Sequence, residues 1–154
     1  SDVCSSDLVT RVAGVSALIG LLLHTFFDGV AIAGGFAVSH ELGVLLFLAI
    51  LLHKLPEGVT ISSLQVAGGS GTGQAVGSAA LLGAATVLGV LLTEAVAFLA
   101  AHGLALAGGV TVYVAASNLV PEFQGKPGWR LPAAFFLGVG AFYAARASLR
   151  AFGM

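Results

Sequence analysis

The sequence predicts an all-α, polytopic transmembrane helical bundle, with five spans inside 154 residues. Three observations carry that prediction. Hydrophobic residues make up 58% of the chain and charged residues only 8%, whereas a soluble globular domain is about one-quarter charged. Mean hydropathy is +1.04. Apolar runs long enough to cross a bilayer, which takes roughly 20 residues, recur five times with short polar breaks between them. The net charge of −1 excludes a basic nucleic-acid surface. The expected surroundings are a lipid bilayer, with no nucleic-acid partner.

The first eight residues, SDVCSSDL, stand apart in polarity from everything after Val9. They read as the in-frame translation of a common sequencing-adapter end, so residues 1–8 are expected to be foreign and 9–154 to form one membrane domain. The single cysteine, Cys4, lies in that stretch and defines no disulfide. Five spans follow, at about 12–36, 43–65, 76–100, 104–121 and 132–150. Ser39, His40 and Glu41 join the first two. The glycine-rich segment 68–73 joins the next pair; it lacks the Lys-Ser/Thr ending of a phosphate loop and reads as a turn. A bend near His102 and Gly103 is expected between spans three and four, and a loop over 123–130 before the last. With the N-terminal side cytoplasmic, Arg11, Lys126 and Arg130 lie inside, while Arg146 and Arg150 snorkel at the outer end of the last span.

Two phrases dominate the chain: HTFFDGV over 24–30 and HKLPEGV over 53–59. Each sets an imidazole and a carboxylate four residues apart, on one face of a helix. His24 and Asp28 fall near the middle of the first span, and His53 and Glu57 near the middle of the second. Antiparallel helices bring both pairs to one depth. Ionisable groups inside an apolar span are costly unless they have a partner or a function. Two nitrogens and two oxygens suit Zn2+, and also accept Fe2+, Mn2+ or Cd2+; the plainer reading is four buried groups bonding one another. Pro56 frees a carbonyl one turn earlier, near Leu52, as helices beside a pathway often do.

These paired motifs resemble the fourth and fifth transmembrane helices of the ZIP family, the zinc- and iron-regulated transporter-like proteins. The likeness continues through VYVAASNLVPE at 112–122, which resembles the end of that family's seventh helix. The resemblance implies eight spans, of which the last five are here, and transport of a divalent metal by alternating access. It implies His24, Asp28, His53 and Glu57 as the primary site. Thr25, Lys54 and Glu94 fall where some members build a second site with an Asn, an Asp and a Glu. A lysine there repels a metal ion, so one metal per chain is expected, with Lys54 paired to Glu94. Asn118 and Glu122 are expected along the exit, and His40 and Glu41 at the entrance. The plasma (inner) membrane is the expected location, and a homodimer a candidate assembly.

Two rival classes stand beside transport. An intramembrane metal-dependent hydrolase would need a general base beside an open metal position and usually carries His-Glu-x-x-His, which is absent. A metal-stapled bundle would bind without moving its ion. On the transport reading the protein is not an enzyme and has no cofactor besides the metal it carries.

Overall fold

The structure, a computed structural model, describes residues 2–121 and 128–151. Five long helices account for nearly all of them: α1 (Asp2–Val38), α2 (His40–Ala67), α3 (Thr72–Ala95), α4 (Ala97–Val114) and α5 (Arg130–Ala151). A π-helical turn, Ala115–Leu119, extends α4. The stretches long and apolar enough to cross a membrane are Gly14–Val38, His40–Ala67, Thr72–Ala95, Ala97–Ser117 and Arg130–Ala151. Among the described residues there is no strand. The all-helical, five-span expectation therefore holds, with α1 running unbroken through residues 2–8 as well.

The turns are short because each is built from residues that close helix ends. Ser39 is extended, and its hydroxyl accepts from the Leu42 N–H at 3.1 Å, capping α2. Gly35 and Gly43 let the α1–α2 hairpin close: a Cβ on Gly35 would lie 2.7 Å from Leu46 Cδ1 and 3.3 Å from the Gly43 Cα. At the other end Gly68 donates to the Leu64 carbonyl at 2.9 Å, and Gly69 takes a φ of 82°, a left-handed conformation that favours glycine. The expected glycine-rich turn is thus present, with α3 already under way at Thr72.

The break between the third and fourth spans comes at Val96, earlier than the expected bend at His102 and Gly103. A single extended residue, φ −114° and ψ 109°, suffices, since its N–H bonds Leu92 and its carbonyl accepts from Ala100. Gly103 has a different use. It is buried where α4 crosses α1, and a Cβ there would collide with the Val30 side chain.

α1 is the axle of the bundle, packing against α2, α3 and α4, while α5 packs chiefly against α2. Its contact with α3 is at backbone range. A Cβ on Gly29 would collide with the Thr86 carbonyl oxygen, and one on Gly89 with that of Phe26. Small residues that let helices touch are the usual basis of association in lipid, where apolar side chains gain nothing by hiding from one another. The burial pattern agrees. Thr25, Val30 and Ile61 are fully buried near this axle, while Leu52, Leu55, Phe136 and Leu137 face outward. No residue of α5 is buried. α2 stays helical through Pro56, whose own carbonyl accepts from the Thr60 hydroxyl at 2.8 Å.

Candidate metal centre

α1 and α2 run antiparallel, and the two phrases meet at mid-helix. His24, Asp28 and His53 each direct a ligand atom inward, all within 4.8 Å of one another. His24 Nε2 lies 3.8 Å from Asp28 Oδ1, and His53 Nε2 lies 3.2 Å from Asp28 Oδ2. The imidazoles stack with centroids 5.9 Å apart. Helical spacing and depth thus bring both histidines to one carboxylate, buried to 6% side-chain exposure.

The second nitrogen of His53 determines what the first can do. His53 Nδ1 lies 3.1 Å from the carbonyl oxygen of Ala49, one turn back on α2. A carbonyl only accepts, so Nδ1 carries the proton and donates it. In the neutral ring the lone pair of Nε2 then faces the carboxylate oxygen of Asp28. Two acceptors 3.2 Å apart require a positive charge between them, a proton or a metal ion. Holding the distal ring nitrogen on a backbone carbonyl is also how metal-binding histidines are commonly oriented.

Glu57 stands one step away. Its Oε2 accepts from Lys54 Nζ at 2.8 Å, and the same ammonium donates to Asp28 Oδ2 at 2.7 Å. Glu57 Oε1 and His24 Nδ1 are buried without hydrogen-bond partners among the described residues. The expected Lys54–Glu94 pair does not form. Asp28 lies directly across from Lys54 and Glu57 one turn along its own helix, whereas Glu94 sits in the last turn of α3, beyond the stretch that meets Gly29. Glu94 is exposed, with no ion pair among the described residues. Thr25 is fully buried, and its hydroxyl donates to the Leu22 carbonyl at 3.1 Å.

Of the residues expected along the pathway, His40 opens α2 with its ring 5.7 Å from that of Phe36. Glu41 is held by two arginines of α5: Arg150 Nε at 2.9 Å and Arg146 Nε at 3.7 Å. Arg146 and Arg150 lie at the end of α5, where they were expected, and also tie it to the start of α2; their four-residue spacing was the visible signal. Asn118 lies in the π-helical turn. Glu122 lies outside the described residues.

Replacing Glu41 with Gln is expected to loosen α5 while changing stability by less than about 1 kcal/mol, since the pair is largely exposed. Spin labels at His40→Cys and Ser148→Cys, in a Cys4→Ser background, should report a broader distance distribution. An unchanged distribution would mean that the ion pair does not hold α5.

A family model described as ZIP Zinc transporter matches residues 2–144. The zinc transporter ZIP13 of Bos taurus is 34% identical over 122 residues, covering 77% of this chain and 28% of that protein. The zinc transporter SLC39A7 of Rattus norvegicus is 33% identical over 147 residues, 94% of this chain and 26% of that protein. That of Sus scrofa is 35% identical over 127 residues, 82% and 23% respectively. The chain spans about a quarter of the length of these curated relatives. No solved structure matches it.

Proposed function

The chain belongs to the ZIP zinc transporter family, and from that membership we propose that it carries zinc across a membrane through a single site formed by His24, Asp28 and His53, with Glu57 as the fourth ligand. One observation above all supports this reading: His53 Nε2 and Asp28 Oδ2 converge at 3.2 Å while Nδ1 is committed to a backbone carbonyl. The Oε1 oxygen of Glu57, buried and without a hydrogen-bond partner among the described residues, supplies a further acceptor on α2. Two imidazoles and two carboxylates match the ligands zinc prefers. Transport requires the ion to shed water at mid-membrane and regain it on the far side. A site on facing helices, rather than in a loop, does this when the helices shift. The plasma membrane is the proposed location, and pairing of two copies the proposed assembly.

The test is zinc binding by the purified chain in lipid nanodiscs, followed by radioactive zinc uptake into liposomes. His53→Ala should weaken zinc binding at least about a hundredfold, because it removes one of the two imidazole ligands of the proposed site. Binding within threefold of the unmutated chain would exclude this site. Binding without uptake would leave the metal-stapled bundle as the better description.

A further inference from the structure

The carboxylates that this reading assigns to zinc are already engaged by a cation of the protein's own. Lys54 Nζ donates to Asp28 Oδ2 at 2.7 Å and to Glu57 Oε2 at 2.8 Å. Asp28 Oδ2 is therefore claimed twice, by the ammonium and, at 3.2 Å, by the edge of His53. Zinc bound between Asp28 and His53 would share that oxygen with a neighbouring positive charge. Like charges so close, in a setting with little water, repel strongly.

We propose that Lys54 is a tethered counter-cation which zinc displaces from Asp28, so that loading and release of the site are exchanges of one cation for another. The proposal rests on the zinc site assigned above. Charge counting shows why exchange matters. Asp28 and Glu57 together contribute −2, which Zn2+ alone would cancel. With Lys54 retained, the loaded site carries +1. The lysine thus weakens binding and favours release, and when the ion leaves it returns to the oxygen that was vacated. There is room for the movement. A cavity of about 280 Å3 lies beside the site, lined by both Lys54 and Glu57 together with Ile50, Leu51, Leu82 and Thr86. A four-carbon stem can swing there while its ammonium keeps the bond to Glu57, one helical turn away on the same side of α2.

The experiment is a zinc titration of the intact chain in nanodiscs against a chromogenic chelator, with Co2+ as a spectroscopic probe of ligand type. Lys54→Met, which keeps length and removes charge, should tighten zinc binding about ten- to a hundredfold, the worth of one or two charge-assisted hydrogen bonds. Lys54→Gln keeps a donor, and should tighten binding in the same direction. Lys54→Arg keeps the charge and should stay within about threefold of the unmutated chain. Thermal melting gives a second readout of opposite sign: without zinc the Met variant should melt lower, and zinc should raise its midpoint more than that of the unmutated chain. Equal or weaker zinc affinity in both neutral variants, while His53→Ala still abolishes binding, would overturn the counter-cation and leave the site standing. Failure of both the unmutated chain and the neutral variants to bind zinc would remove the site and the exchange together.

Discussion

Replacing Asp28 with alanine should leave no measurable zinc binding at micromolar ion. This is the largest effect expected of any single change, because three groups converge on one carboxylate: His24 at 3.8 Å, His53 at 3.2 Å and Lys54 at 2.7 Å. The variant loses the carboxylate that faces both imidazoles. It also leaves Lys54 with Glu57 alone, so the fold should weaken by about 2 kcal/mol, less than the 3–5 kcal/mol typical of a fully orphaned buried charge. Asp28→Asn separates the two losses. Its amide oxygen keeps the shape and still accepts from Lys54, so stability should largely return while zinc binding does not. Calorimetric titration and thermal melting in the same detergent read both quantities. Retention of near-native zinc affinity by either variant would show that the two histidines meet for another reason.

A comparable loss, by a different route, is expected from Gly89→Ala. A methyl group there meets the Phe26 carbonyl oxygen, which is backbone and cannot rotate away. α1 and α3 must part, and overpacking of this kind commonly costs about 1–3 kcal/mol. Because Phe26 lies between His24 and Asp28 on α1, the displacement reaches the site, and zinc affinity should fall with stability. Gly77→Ala and Gly83→Ala, on the same helix, are the controls. No atom lies within 4 Å of a Cβ at either position, so both should be neutral or stabilising by up to about 1 kcal/mol from helix propensity alone. If all three substitutions behave alike, backbone contact between α1 and α3 does not organise the bundle.

The meeting of the two histidine–carboxylate phrases was legible because it depends on quantities that a sequence carries: four-residue spacing, span length, and the depth of each motif within its span. Lys54 was harder to place. Its choice of Asp28 over Glu94 depends on how α1, α2 and α3 rotate about their axes, and the apolar spans give little angular information. Gly103 misled for a related reason, since a glycine can mark either a turn or a close crossing of helices, and its neighbours, small and apolar apart from His102, fit both. The turn went instead to Val96, a β-branched residue comfortable in extended backbone. The Glu41–Arg150 pair spans 109 positions, a separation over which no local pattern reaches.

The crossing of Gly29 and Gly89 also restricts motion. Two rods in contact through their backbones at one notch resist sliding past one another, because translation in either direction would bring the larger residues that share this face of α1, Thr25 and Phe26 on one side or Ile32 and Ala33 on the other, against the notch that Gly29 occupies. α1 and α3 therefore form a single lever with the crossing as its rivet. His24 and Asp28 travel with it as fixed points, and the coordinates left free to change at the site are those of α2: its rotation, its axial shift, and the side chains of His53, Lys54 and Glu57.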